Sequence, residues 1–449
     1  MTTDHASQPL SRTIYLVIIC LVAALGGLLF GFDTAVISGT VGFFQAEFKL
    51  SAAGTGWVAS SALVGCFFGA LIAGAVSDRF GRKKVLLLSA VFFTVSAIWC
   101  GLAGTATELV LARLIGGLGI GIASLISPLY IAEISPPRIR GMLVALQQLA
   151  IVLGILGAFF TNSLVLHTSL ADAAKWRWMF AIGAFPAVIF LVLILPVPES
   201  PRWLTKQGFA DKARAILARV AGEQAAVVEM AQITDAIAHE GGTLSDLFKP
   251  GLRRALFVGI TLMILTQVTG INAIMYYAPE VFKQAGSGAS AAFNDTVWVG
   301  LTNLVFTLLS MAVVDRLGRK PLLLVGATCM GLALSFVGYA FYAKLSGLGL
   351  LIGVLAYVGS FAFSMGVVGW VLVSEIYPTR TRGRAMSLAT SAVWAACFLV
   401  SQTFPIFKEI SIAGTFWGYG VLCAVAVVFV WLYVPETKGR SLEEIEKSW

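Results

Sequence analysis

Twelve apolar runs, each close to the ~20 residues that a helix needs to cross a bilayer, fix what this chain can fold into. They fall at 14–40, 56–76, 85–104, 109–131, 142–166, 178–196, 255–281, 293–314, 321–342, 348–375, 384–406 and 414–434. Six precede a long polar interruption and six follow it. The runs are continuous, without the ten-residue alternation of a barrel strand, so helices are the only spanning form they allow. The predicted fold is an all-α integral membrane protein with twelve transmembrane helices in two six-helix bundles. Composition supports it: at 58% hydrophobic and 12% charged residues, the chain lacks the polar surface a soluble protein of this size needs. The stretch from Ile14 to Phe32 leads straight into further membrane sequence, so no cleavable leader is expected.

The two halves are copies. Gly74 to Ala90 returns as Met311 to Ala327 at an offset of 237, with 10 of 17 positions identical. Pro198-Glu199 returns as Pro435-Glu436 at the same offset, and Glu133 with Arg140 returns as Glu375 with Arg382 at 242. A repeat at nearly constant spacing is the mark of a duplicated unit. The expected organisation is a first bundle at 1–196, a cytoplasmic linker at 197–254, a second bundle at 255–434 and a cytoplasmic tail at 435–449. Pro201 to Leu204, Ala210 to Val220 and Gln224 to His239 have helix-forming composition with mixed charge, which predicts short linker helices.

Lysine and arginine set the orientation. Twenty-four of the 31 lie on one side of the spans and six on the other, with Arg113 inside a span. By the positive-inside rule both termini and the linker face the cytoplasm, which predicts a multi-pass protein of the cell membrane. The net charge of +8 is then mostly topology, and no nucleic-acid partner is expected. The six cysteines all lie in apolar runs without a CxxC pair, so buried, inert thiols are expected rather than metal or redox chemistry. No cofactor and no obligate protein partner are called for. No nucleophile–base pair appears, and an enzyme is not expected.

Charged groups within a bilayer cost at least ~2.5–3.5 kcal/mol each. Two stand well inside the spans, Asp33 in the first and Arg113 in the fourth. They read either as a static brace or as a proton switch, in which an approaching cation favours the carboxylate and its departure favours the acid. The spans also hold uncharged amides and aromatics: Gln147-Gln148, then Gln267, Asn272, Tyr276 and Tyr277, then Asn303, Trp370 and Trp394. Gln267, Asn272 and Tyr276 fall roughly along one helix face. Amides supply donors and acceptors and indoles supply flat apolar faces, a mixture suited to a sugar or polyol. Interhelical hydrogen bonding is the alternative for any single amide. The glycines of 116–121 are spaced for close helix approach, not for holding phosphate. At the basic ends of the helices lie Asp78, Arg82, Glu133, Arg140 and Glu199, repeated as Asp315, Arg319, Glu375, Arg382 and Glu436, a set that reads as an inter-helix gate.

The chain resembles the sugar porter family of the major facilitator superfamily over essentially its whole length. The resemblance rests on Asp-Arg-x-Gly-Arg-Lys at 78–83 and 315–320, Pro-Glu-Ser-Pro-Arg at 198–202 and Pro-Glu-Thr-Lys-Gly at 435–439. Gln-x-x-Gly-Ile-Asn at 267–272 and Arg113 opening Arg-Leu-Ile-Gly-Gly add to it. It implies two pseudo-symmetric bundles that rock about a sugar held at mid-membrane. It also implies a sugar site at Phe30, Gln148, Gln267, Asn272, Tyr276, Asn303, Trp370 and Trp394, with Asp33 as proton acceptor and Arg113 as its partner. Passive members commonly carry a neutral residue at that acid. Three positions depart from the pattern: Thr266 replaces the first of two glutamines, Val393 replaces an amide, and Gly366 to Trp370 lacks a proline. The expected function is monosaccharide import by proton symport with alternating access. A passive facilitator is the alternative; a sugar sensor fits less well, because such proteins add long tails.

Overall fold

The computed structural model describes residues 10–137, 139–238, 248–249, 252–345, 347–377 and 381–439. Arg138, Arg380, Arg440 and Lys447 of the loop charges, His239 at the end of the third linker segment and most of the 435–449 tail lie outside these. Among the described residues every regular element is helical. The first half holds α1 (Leu10–Phe48), α2 (Ala52–Phe80), α3 (Arg82–Leu102), α4 (Ala106–Ile134), α5 (Arg140–Leu166), α6 (Asp172–Ala181) and α7 (Ala184–Leu193). Three shorter helices follow: α8 (Pro201–Lys206), α9 (Ala210–Ala221) and α10 (Glu223–Ala238). The second half holds α11 (Leu252–Val268), α12 (Ile271–Gln284), α13 (Ala289–Leu317), α14 (Arg319–Tyr342), α15 (Leu348–Phe363), α16 (Met365–Ile376) and α17 (Arg382–Tyr433).

Twelve spans emerge once the breaks are read. The pairs α6/α7, α11/α12 and α15/α16 each form one interrupted crossing. The long α17 is two crossings joined at Ser411, whose backbone is extended (φ −165°, ψ 109°) and whose Oγ accepts from the N–H of Gly414 at 3.0 Å to start the last one. The first crossing runs beyond its expected end at residue 40, to Phe48. In the tenth crossing the proline-free glycine pair is not where the helix bends. The break is at Ser364 (φ −124°, ψ −90°), two residues before Gly366. Large apolar side chains such as Phe185, Leu332 and Ile410 point outward, as a lipid-facing belt requires.

Small residues bring the helices together inside each half. A Cβ at Gly117 or Gly121 of α4 would fall on the carbonyls of Ala62 or Cys66 of α2, so the glycine run is a packing surface. The linker helices dock on the first half. Arg219 of α9 lies over the Tyr15 ring at 3.9 Å, and the Trp203 indole of α8 donates to the Asp78 carbonyl at 2.9 Å.

The duplicated turn explains the charges at the basic ends. Gly81 and Gly318 have φ of +97° and +91°, a backbone that only glycine, lacking a Cβ, adopts at little cost. A glutamate lies directly against each: Glu199 accepts from the N–H groups of Arg82 (2.8 Å) and Lys83 (3.1 Å), and Glu436 from those of Arg319 and Lys320 (both 3.0 Å). Each carboxylate thus caps a helix start, where free N–H groups and the helix dipole favour negative charge. Burial pushes the Glu436 carboxyl up, but the N–H groups of Lys438, Arg319, Lys320 and Thr437 together hold it below the ordinary glutamate range. A depressed carboxyl contributes stability that is complete above its unfolded pKa and is lost as pH falls through the folded one. Glu436→Gln should therefore lower the unfolding temperature at pH 7. Its gap from the parent protein should begin to close as the pH reaches the ordinary glutamate range and vanish below the depressed folded pKa, as thermal unfolding in detergent would show.

Candidate functional site

At the basic ends, Arg82 of α3 donates to Asp78 at 3.0 Å and to both Glu133 oxygens at 2.9 and 3.0 Å. Arg319 of α14 repeats this, reaching Asp315 and Glu375, each at 2.8 Å. Asp78 and Asp315 are exposed at 54% and 82%, whereas Glu133 is 5% exposed. The aspartate arms are thus worth little and the Arg82–Glu133 arm is the one that holds. Ser200 and Thr437 add hydroxyl hydrogen bonds to Glu133 and Glu375. Arg140 donates to the Ser135 carbonyl at 3.3 Å and Arg382 to that of Tyr377 at 3.2 Å, matching positions of the two copies. All of these contacts run within one half. They tie the ends of α2, α3 and α4, or their counterparts, into one rigid unit.

The halves meet at the other end. There the Ser60 hydroxyl of α2 donates to the Gln402 side-chain oxygen of α17 at 3.0 Å, and the Gln402 amide nitrogen donates to the Ala53 carbonyl at 3.1 Å. Ser163 of α5 donates to Asn294 of α13 at 2.9 Å, and the His167 ring meets the Ser290 hydroxyl at 2.7 Å. Trp57 and Phe398 pack edge to face across the same seam.

Between the two ends lie the intramembrane residues. Arg113 is buried and its Nη1 stands 3.6 Å from the Asp33 Oδ2, while Asp33 is 18% exposed. The contact is loose: among the described residues the Nε and Nη1 of Arg113 make no hydrogen bond, and Nη2 reaches only the Ala59 carbonyl at 3.5 Å. The Phe180 ring covers the guanidinium at 5.6 Å. Both partners belong to the first half, on α1 and α4. One helical turn from Asp33, the Phe30 ring meets Trp394 of α17 edge to face at 5.3 Å.

The seventh crossing breaks at Thr269–Gly270. Gly270 has φ +98° and lies against the Tyr419 ring, and the Tyr357 hydroxyl takes up the freed Thr269 carbonyl at 3.0 Å. Across this break the Asn272 amide donates to the Gln267 side-chain oxygen at 2.8 Å. Tyr276 is buried one turn further on, before a second bend at Tyr277. Gln148 of α5 and Trp370 of α16 are half-buried and Asn303 of α13 is buried. Their side chains make no hydrogen bond among the described residues.

One residue was noted in the sequence without a place in the site, and another was given no role. Gln147 is the more buried of the glutamine pair; it packs on Gly27 of α1, and among the described residues neither of its amide atoms has a hydrogen-bond partner. Cys397 is not an inert filler. Its sulfur is 3.1 Å from the Asn272 amide nitrogen and 3.2 Å from the Gln267 oxygen. Its spacing of three from Trp394 was the available signal. Cys329, expected to be buried, is exposed on the outer face of α14.

Two pseudo-repeated bundles with buried amides, indoles and one acid–base pair between their ends define a secondary transporter of small polar solutes. Residues 19–449 match the family model described as "Sugar (and other) transporter", and the chain belongs to that sugar porter family of the major facilitator superfamily. It is 43% identical to the arabinose-proton symporter of Bacillus subtilis, covering 97% of this chain and 95% of the relative. It is 41% identical to the D-xylose-proton symporter of Escherichia coli, covering 97% and 96%. Among solved structures, the E. coli xylose transporter XylE in a partially occluded inward-open conformation superposes with a TM-score of 0.87. That match has 38% identity and covers 95% of this chain and all of the other.

Proposed function

We propose that the protein is a proton-coupled monosaccharide importer of the cell membrane, with pentoses as the first substrates to try. The observation that carries this reading is the placement of Asp33 one turn from Phe30, whose ring bridges to Trp394 in the other half. A change in the charge of Asp33 is thereby transmitted along α1 to a contact between the halves. The basic ends face the cytoplasm by the positive-inside rule. Among the described residues the side-chain contacts at the basic end run within each half and those at the far end join the halves, which supports an inward-facing reading. Arabinose and xylose relatives favour an aldopentose, and the site's amides and indoles suit either a pentose or a hexose. The test is uptake of labelled D-xylose, L-arabinose, D-glucose and D-galactose into vesicles with and without an inward proton gradient. Accumulation should appear only with the gradient; uptake indifferent to it would overturn the coupling.

Gln148, Gln267 and Asn272 are read as hydrogen-bonding a sugar hydroxyl each. Loss of one such bond costs about 0.5–1.5 kcal/mol, so alanine at each should weaken binding of the preferred sugar about two- to tenfold, measured by tryptophan quenching. Unchanged affinity in all three variants would remove them from the pocket. Arg140 and Arg382 are read as gate residues whose cross-half partners form when the cytoplasmic side closes. Arg140→Ala and Arg382→Ala should favour the inward-facing form and slow transport. Cysteine-accessibility labelling of the cytoplasmic cavity would report it, and unchanged labelling with normal transport would sink the gate.

A further inference from the structure

Cys397 and Thr266 fix what the Gln267–Asn272 pair can offer to a ligand. The Thr266 hydroxyl donates to the Met263 carbonyl at 2.7 Å, so toward its neighbour it can only accept. It accepts from the Gln267 amide nitrogen at 2.9 Å. This places the Gln267 oxygen on the opposite side, facing Asn272, and an oxygen there requires the Asn272 NH2 group as donor, at 2.8 Å. Cys397 then completes the set: its S–H donates to the Gln267 oxygen at 3.2 Å and its sulfur accepts the second Asn272 proton at 3.1 Å. All four residues are buried.

An amide offers two N–H donors and an acceptor oxygen. In this network the Gln267 oxygen already takes two donors and both Asn272 protons are spent. One Gln267 N–H and the Asn272 oxygen remain. We infer that Cys397 and Thr266 are positioning residues that make the Gln267–Asn272 pair a donor–acceptor pair of fixed polarity, suited to two neighbouring hydroxyls of a sugar. One hydroxyl accepts from Gln267 and the next donates to Asn272. Recognition of such a vicinal diol depends on the relative configuration of the two carbons, so these residues set the preference between epimers. The inference rests on the proposed sugar transport.

The test is binding of D-xylose, L-arabinose, D-glucose and D-galactose to the purified full-length protein and its variants. Cys397→Ala frees one oxygen lone pair and one N–H, and should change the affinity ratio within an epimer pair by about two- to tenfold, the range of one hydrogen bond. Cys397→Ser, which can still donate and accept, should restore the ratio. Thr266→Val, close to isosteric, releases the Gln267 amide and should shift the ratio too, which keeps the test open if Cys397→Ala folds poorly. A role in packing alone would weaken all sugars alike, leave the ratio unmoved and show no serine rescue; that result would overturn the inference. Failure of the parent protein to bind any sugar would instead overturn the functional reading.

Discussion

Asp33→Asn is expected to abolish gradient-driven accumulation while leaving sugar exchange across the membrane partly intact. A proton crossing ~100 mV contributes about 2.3 kcal/mol, which corresponds to roughly 50-fold accumulation at 1.4 kcal/mol per decade; the variant should equilibrate its sugar and stop. The reason lies in how poorly Arg113 is served. Its guanidinium is fully buried with a carboxylate at 3.6 Å and one carbonyl at 3.5 Å, well short of the close, saturated pairing that a buried ion pair needs. A contact this loose stabilises the carboxylate less than a bidentate pair would, so protonating Asp33 costs less here than it would in such a pair. Because both groups sit in the first half, the proposed switch requires adjustment of α1 against α4. Rocking of one half on the other need not separate them. Vesicle uptake with and without a pH gradient, with counterflow as the control, would decide it. Normal concentrative uptake by Asp33→Asn would end the proton-switch reading.

Gly270→Val is expected to weaken sugar binding more than tenfold and to lower thermal stability as well. A β-branched residue at φ +98° is strained by about 1–3 kcal/mol. Its Cβ would also sit 2.6 Å from the Tyr419 ring, so either the ring or the backbone must give. Gln267 lies three residues before this break and Asn272 two after it, and their 2.8 Å hydrogen bond spans it. Any shift of the break therefore misaligns the pair. Affinity measured alongside an unfolding curve checks both parts. A variant with wild-type affinity would show that the break does not hold the site.

Much of the fold was legible in the chain because the bilayer imposes length and continuity on each span, and because duplication prints the same turn twice. The Asp-Arg-x-Gly-Arg-Lys turn and its distant glutamate could be paired by offset alone. The structure supplied the cause, a left-handed glycine with a carboxylate closing the next helix. The bend of the tenth crossing escaped the sequence, since Ser364 carries no breaker signal and the glycines that do carry one lie two and five residues on. The site was legible as an inventory of residue types. A buried amide in a membrane is conspicuous wherever it falls, so Gln267, Asn272 and Asn303 stood out.

Which atoms of those amides remain free was decided only in three dimensions. Hydrogen-bond capacity is shared among neighbours that sequence distance does not reveal: Cys397 lies 125 residues beyond Asn272, yet together with Thr266 it determines what Gln267 and Asn272 can present. The same holds for the charges. The sequence by itself determined their sign, their clustering at one end of the helices and their duplication, because span boundaries and residue order are enough to read all three. Tertiary structure decided that Arg82 and Arg319 clamp their own halves while neutral hydroxyls, an imidazole and amides join the halves at the far end. Partner choice follows from which helix ends are packed together, and packing brings in residues from the whole chain.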